Sequence, residues 1–294
     1  MMDWQERMTN AIAYLEANLA AQIDLERAAE AANCSPFHFF RMFDVITGLG
    51  PGEYVRRRRL TLAAAELATG ASAQAGSRVI DVALKYGWES PDAFSRAFKK
   101  EFGLPPGSLR EGTATLHAYP PIAFSIALKG DKAMEYRIEQ GPEYRLTGVS
   151  LECKSDDGSN FRDIPAFWEA VMKDGRFNQL LNRMGKNLCV CGVCHSADMK
   201  TGAFTYTIAI ETPASMNGMP EGCGEVIVPA STWAKFTSRG PLFPNYQDMI
   251  KRIYSEWFPA SGKEHAGTAE IEFYPCDKDA NDPDYYAEYW VPLK

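Results

Sequence analysis

Two guanidinium groups in repeated surroundings are the first candidates for chemistry. Arg41 sits in SPFHFFRMFDVITGLGP at residues 35–51, and Arg96 in SPDAFSRAFKKEFGLPP at residues 90–106. Both stretches read S-P-x-x-F-x-R-x-F-x-x-x-x-G-x-x-P at an offset of 55, so one supersecondary unit occurs twice. A guanidinium offers a donor fork that fits O6 and N7 of guanine in a DNA major groove. A second chemistry lies near the C-terminus. Glu270, Glu272 and Tyr274 alternate with Ile271 and Phe273, and Tyr286, Glu288 and Trp290 alternate with Tyr289 and Val291. A strand turns successive side chains to opposite faces, so each stretch predicts one apolar face and one face mixing carboxylates with rings. That mixture suits a lipophilic cation, held by charge and cation–π attraction. The alternative is an exposed edge with incidental glutamates.

Cys191-Gly-Val-Cys194-His195 has the C-x-x-C-H spacing of haem attachment, and Cys/His spacing of this kind also binds zinc. No second Cys or His pair follows at zinc-finger distance, and LCVCGVC reads better as a buried strand of small apolar residues. Seven cysteines is an odd number, and MMDWQERMTN has no export signal, so free thiols in the cytoplasm are expected. His38, His117 and His265 form no ligand cluster and read as surface or helix residues. No nucleophile triad or phosphate-binding glycine loop is recognisable, and no metal or cofactor is expected.

The elements that position the arginines follow from local physics. Ser35 and Ser90 suit helix N-caps, and Pro36 and Pro91 fall at the first helical position, where a missing N–H costs nothing. Phe39 and Phe43, like Phe94 and Phe98, are four apart and share a buried helix face. The outward positions are then Pro36, Phe37, Phe40 and Arg41 in one copy, and Pro91, Asp92, Ser95 and Arg96 in the other. A short helix precedes each Ser, near 24–32 and 79–86, completing a helix-turn-helix; part of a four-helix bundle would share the Phe spacing. Asp92 can accept from cytosine N4 or simply favour the helix dipole.

Length and composition bound the rest. The chain has 294 residues, enough for two domains, and its net charge is −7. Residues 1–112 hold 13 basic and 14 acidic side chains, unlike a uniformly basic DNA-binding protein, which counts mildly against the DNA reading. Positive charge collects instead at Arg56-Arg57-Arg58-Arg59 and at Arg96, Lys99, Lys100 and Arg110, either against phosphates or as a solvated face. No apolar run is long enough to span a bilayer as a helix. A linker and an early strand are expected over 113–133. Strands follow near 144–153, 188–195, 204–211, 225–229, 233–238, 269–275 and 286–292, with helices near 161–182 and 246–258. That order predicts an α+β domain of two similar β-α-β halves behind an all-α double helix-turn-helix.

Residues 7–110 resemble the DNA-binding domain of the AraC/XylS family of transcription regulators. The likeness rests on Ala28-Ala29, S-P-F-H-F-F-R-M-F, Gly48, Pro51, Tyr54 and Arg59-Leu60, and on Ile80, Val82-Ala83, Tyr86-Gly87-Trp88, Ser90, Phe94, Arg96, Phe98-Lys99, Phe102-Gly103, Pro106 and Arg110. Trp88 stands where the family usually has Phe, and Leu109 where it has Tyr. The resemblance implies two recognition helices reading successive major-groove segments of operator DNA, with base contacts from Arg41 and Arg96; by helix phase and chemistry, Phe37 and Phe40 suit thymine methyls. It also allows RNA polymerase as a partner.

Residues 134–294 resemble the GyrI-like effector-binding domain of multidrug-sensing regulators, through Met134-Glu-Tyr-Arg-Ile, Thr147-Gly148-Val149, Phe204-Thr-Tyr206, Trp257-Phe-Pro-Ala-Ser-Gly262, Glu272-Phe-Tyr274 and Glu288-Tyr-Trp-Val-Pro292. The resemblance implies an effector pocket with Glu272 and Glu288 as its carboxylates, and Trp290, Tyr274, Tyr206 and Trp257 about them. Some GyrI-like proteins hydrolyse reactive compounds with a Glu and a Tyr, so Glu288 or Glu272 with Tyr274 would serve the alternative of a tethered hydrolase. Cys276 lacks the following His-Arg used in alkylation repair. The joined reading is a non-enzymatic, sequence-specific DNA-binding transcription regulator that senses a small lipophilic or cationic effector.

Overall fold

Helix punctuation in the repeat is local. The Ser35 side chain accepts from the His38 amide at 3.3 Å and that of Ser90 from the Ala93 amide at 3.2 Å, and each helix then opens on proline. Both end at a glycine in the left-handed region, Gly48 at φ 71° and Gly103 at φ 76°, where a side chain would be strained. The structure, a computed structural model, describes residues 4–70, 78–111, 117–123, 133–154, 159–184, 189–196, 203–216 and 218–294. Its helices in this region are α1 (Trp4–Ala17), α2 (Leu25–Ala31), α3 (Pro36–Thr47), α4 (Pro51–Gly70), α5 (Val79–Lys85) and α6 (Pro91–Phe102), of which α2, α3, α5 and α6 are those the repeat predicts. Of the expected linker and early strand, residues 117–123 are neither helix nor strand, and the remainder up to 132 lies outside the described residues.

By contacts the chain divides into two units: Met1–Asn33 with Pro51–Ser125, and Cys34–Gly50 with Ile126–Lys294. In the first, Leu60, Ala63 and Leu67 of α4, Val82 and Ala83 of α5, and Phe94 and Phe98 of α6 form one core. Burial of such side chains contributes roughly 1.5–3 kcal/mol each for the larger ones.

The second unit holds a sheet. Among the described residues its strands are β1 (Tyr136–Gly141), β2 (Tyr144–Lys154), β3 (Cys189–His195), β4 (Ala203–Glu211), β5 (Gly224–Val228), β6 (Ser231–Arg239), β7 (Glu270–Pro275) and β8 (Tyr286–Leu293). They lie in the order β1-β6-β8-β7-β3-β4-β2-β5, every neighbouring pair antiparallel. The two halves are similar, as expected, but each also contributes an outer strand to the other: β1 pairs with β6, and β5 with β2. The helix expected over 161–182 is two, α7 (Asn160–Lys173) and α8 (Arg176–Leu181), broken at Gly175, φ 88°. α9 (Leu242–Arg252) runs through a π-helical turn, Ile253–Trp257, into α10 (Phe258–Ser261).

Register decides which side chains share a face. Glu272 stands opposite Tyr289, and Phe273 opposite Glu288. Residues paired in register point to the same side. Glu270, Glu272, Tyr274 and Tyr289 therefore share one face, while Ile271, Phe273, Glu288 and Trp290 share the other. The expectation that Glu272 and Glu288 line one pocket is corrected by this half-step. The first face also carries Tyr206 and Cys194, which pack with Phe167 and Val171 of α7 and Leu180 of α8. The second is an apolar layer around Trp233, Trp290, Ile271, Val193 and Leu146.

The strand reading of the cysteine cluster holds, with Val190–Cys194 buried in β3. Cys191 pairs with Phe273 and Cys194 with Tyr206, so the two thiols face opposite sides of the sheet and cannot grip one ion. Burial pushes the Cys191 thiol up to about 12. Among the described residues no helix is long and apolar enough to cross a membrane.

Candidate effector cleft and DNA-reading face

Glu270 is the most fully engaged carboxylate of the helix-covered face. Its Oε2 accepts from Arg41 Nε at 3.1 Å and from the Tyr289 hydroxyl at 2.6 Å. Its Oε1 accepts from the Tyr254 hydroxyl and meets His265 Nε2 at 3.0 Å. The Gly267 amide donates to His265 Nδ1 at 2.8 Å, which leaves Nε2 as the donor toward Glu270. The Tyr289 hydroxyl also receives Arg41 Nη2 at 3.1 Å, closing a ring of three groups. Burial alone would raise Glu270, but the His265 hydrogen bond and the Arg41 charge hold it well below the usual carboxylate range.

Two residues along β7, about 7 Å by strand rise, Glu272 has a different environment. Its Oε2 accepts from Tyr206 at 2.6 Å and Tyr274 at 3.0 Å, and Trp168 Nε1 of α7 donates to the Tyr206 oxygen at 2.9 Å. Burial pushes the Glu272 carboxyl up, against the pull of Arg41 and the two hydroxyls, and the Glu270 charge pushes the same way. Trp168 stands edge-on to Tyr274, with ring centroids 5.7 Å apart, and Tyr246 of α9 lies 5.5 Å from Tyr274. Gly192 of β3 is the floor beneath them: a Cβ there would collide with the Tyr206 hydroxyl and the Glu272 carboxylate. Glu270, buried, and Glu272, half-buried, stand among five tyrosines and a tryptophan with the Arg41 guanidinium on Glu270, an arrangement whose chemistry suits positive charge.

Of the residues expected in the pocket, Glu272, Tyr274 and Tyr206 are brought together. Glu288 and Trp290 are not with them. Arg137 grips Glu288 through two bonds of 2.8 and 3.1 Å, and Trp290 Nε1 donates to it at 2.7 Å. Lys235 Nζ sits 3.3 Å from the Trp290 ring centroid and pairs with Glu139 at 2.7 Å, so that face already holds its own cations. Trp257 packs edge-on to Phe236 and Tyr136, at 4.9 and 5.4 Å, over β6 and β1 rather than β7.

Sequence reasoning missed Glu270, Tyr246, Tyr254 and Tyr289 as site residues. For Glu270 the signal was present, since residues two apart on a strand share a face. Tyr289, placed on the apolar face of its strand, is buried beneath Tyr246 of α9, and its hydroxyl in addition reaches Glu270. His38 and His265, expected at the surface or on a helix, are buried and stacked at 4.8 Å.

The DNA-reading positions divide by copy. On α6, Asp92, Arg96, Lys99 and Lys100 are exposed, Pro91 and Ser95 are partly so, and Arg96 makes no ion pair among the described residues. On α3, Phe40 is buried, Pro36 is partly covered, and Arg41 is held by Glu270, which corrects the expectation that Phe40 and Arg41 point out. The Phe37 side chain lies outside the described ones. The arginine run is also committed internally. Arg56 binds Glu53 at 2.7 Å and Glu101 at 2.8 Å, Arg58 is buried against Glu16 at 2.7 Å, and Arg59 donates to the Leu19 and Ala21 carbonyls at 2.9 and 2.6 Å. The expected phosphate role of Arg56 and Arg58 does not fit those pairings.

The fold agrees with the family comparisons. Residues 134–294, more than half the chain, match the model of the GyrI-like small molecule binding domain, and residues 28–112 match a helix-turn-helix domain. The chain belongs to the GyrI-like family and carries an AraC-type helix-turn-helix domain before it, the make-up of a DNA-binding transcription regulator with a small-molecule-binding domain. It is 25% identical over 303 residues to the transcriptional regulator Rob of Salmonella typhimurium, covering the whole of both chains. It is 38% identical over 109 residues to the uncharacterized HTH-type transcriptional regulator YbfP of Bacillus subtilis, spanning 37% of this chain and 35% of that one. Among solved structures, SAV2435 bound to tetraphenylphosphonium is similar over 55% of this chain and 94% of its own, at 19% identity and a TM-score of 0.49.

Proposed function

We propose that this chain regulates transcription by binding operator DNA and that its sensor unit takes a lipophilic organic cation in the cleft between Glu270, Glu272 and the tyrosines. One observation carries the reading. Glu270, buried, and Glu272, half-buried, share one guanidinium, which bonds Glu270, so the cleft with both ionised has an unmet negative charge behind aromatic walls. A delocalised cation loses little hydration on entry and gains both charge and ring contacts. Glu272, raised by burial, is the carboxylate whose ionised form such a guest would stabilise. On the DNA side, the exposed Arg96 of α6 supports base reading, with Lys99 and Lys100 toward phosphates. A DNA-binding domain on the same chain supports sensing over turnover, and contact with RNA polymerase and a cytoplasmic place follow from the same reading.

The test is selection of binding sites by the full chain from a random DNA pool, followed by affinity for the winner with and without tetraphenylphosphonium. A selected sequence whose affinity changes at least about fivefold with the cation supports the reading, as effector coupling of this kind spans roughly 5- to 150-fold. Failure to select any sequence, or an affinity indifferent to cations that bind the protein, overturns it.

A further inference from the structure

Helix α3 carries the first recognition sequence, yet its three ionisable side chains, His38, Arg41 and Asp44, all turn to the sensor unit. Arg41 meets Glu270 and Tyr289, and His38 stacks on His265 and stands edge-on to Phe258 at 5.2 Å. Asp44 accepts from Asn160 at the start of α7 at 3.1 Å. At the N-cap, a Cβ on Gly267 would lie 3.3 Å from Ser35 Cβ and 2.9 Å from its hydroxyl, so the chain passes there with no room to spare. The helix is thus fastened at both ends and in the middle, to α7, to the loop before β7, and to the floor of the cleft. Its guanidinium is the only one among the described residues that reaches the Glu270 carboxylate.

We infer that α3 is the cleft's built-in occupant: its Arg41 stands where a free cation would neutralise the acids, so that effector binding and α3 docking exclude each other and an effector frees α3 for DNA. This rests on the cation-cleft reading above. The exclusion has two physical sources. One guanidinium cannot both bond Glu270 and read a guanine, so docking removes the first recognition helix from DNA. Glu272 follows Glu270 by two residues, about 7 Å of strand rise, so a cation at Glu272 and the guanidinium on Glu270 would share low-dielectric walls where like charges repel strongly. The docked chain then reads DNA through α6 alone, and the effector-bound chain through both helices. By linkage, a two-segment operator must tighten effector binding by the same factor that the effector tightens the operator.

The experiment is a disulfide lock in the full chain. Ser35→Cys with Gly267→Cys, in a Cys34→Ser background, places two thiols near bonding distance only when α3 is docked. Oxidised protein is expected to protect one major-groove segment of the selected DNA, and the same protein after reduction two segments a helical turn apart. Tetraphenylphosphonium is expected to slow the crosslinking about tenfold. Because Gly267 has φ 79° and a side chain there is strained, hydrogen exchange of residues 36–47 in the unsubstituted chain is the second measurement, and the cation should speed it about tenfold. A two-segment footprint from the oxidised protein overturns the inference. A cation that stabilises the protein yet changes neither crosslinking nor exchange overturns it while leaving the cleft reading standing. A cation that does not bind at all overturns the cleft reading, and the inference with it.

Discussion

Arg41 and Glu270 are 229 residues apart in the chain and 3.1 Å apart in space. The first is the residue expected to read DNA; the second is a sensor-domain carboxylate that is 1% exposed in its side chain. Burial penalises both charges, and each is kept ionised by the other and by the hydroxyls around them.

Replacing Arg41 by Ala leaves Glu270 buried without its cation. Removing one partner of a buried pair costs about 3–5 kcal/mol, so the variant should unfold at a clearly lower denaturant concentration. It should also bind tetraphenylphosphonium about tenfold more tightly, because the competing charge is gone. A variant equally stable but with weaker cation binding would contradict this arrangement.

The first copy and the second copy of the repeat should respond differently to alanine. Arg96→Ala should lose about 1–3 kcal/mol of selected-site affinity and relax specificity at one base pair, with thermal stability unchanged. Arg58→Ala should instead lower stability, by roughly 2 kcal/mol or more, since Glu16 loses its partner, and should shift DNA affinity little. Competition binding and denaturation of both variants separate the two effects.

The Asp44 carboxyl gives a pH signature. Burial raises it to about 6, with the Asn160 hydrogen bond and the Arg41 charge pulling the other way. A carboxyl raised on folding contributes fully while protonated, below its ordinary value, and that contribution fades as pH rises through about 6. Stability of the native chain should fall between pH 4 and 7 by an amount that Asp44→Asn removes. An identical slope in that variant would contradict the assignment.

Gly192 should tolerate no side chain. Gly192→Ala presses a methyl group into the Tyr206 hydroxyl and the Glu272 carboxylate, which must shift together. Cation affinity should drop at least about tenfold, with stability lowered by the 1–3 kcal/mol typical of overpacking. Unchanged affinity would show that the floor of the cleft lies elsewhere.

Much of the fold was legible because its causes are local. Ser35-Pro36 and Ser90-Pro91 cap their helices within four residues, and Phe94 and Phe98 meet through one turn. β7 and β8 announced themselves by alternation and β3 as an apolar run, whereas β1 was not among the expected strands. The site was less legible because its causes are not local. Alternation shows which residues of β7 share a face, but whether Glu272 joins Tyr289 or Glu288 depends on how β7 and β8 pair, and one step inverts every side chain. Likewise the arginine run of α4 reads as a phosphate-binding patch until Glu16, Glu53 and Glu101, distant or near in sequence, are seen to neutralise it. Nothing in the spacing around Arg41 distinguishes it from Arg96. Their different fates are set by tertiary partners.

The most direct test of the cation cleft is a calorimetric titration of the full chain with tetraphenylphosphonium, repeated on Glu272→Gln and Glu288→Gln and with neutral triphenylphosphine oxide. The account predicts binding to the native chain, at least a tenfold loss in Glu272→Gln, near-native affinity in Glu288→Gln, and much weaker binding of the neutral compound. Native-like affinity in Glu272→Gln, or a loss confined to Glu288→Gln, would place the effector on the opposite face of the sheet and contradict it.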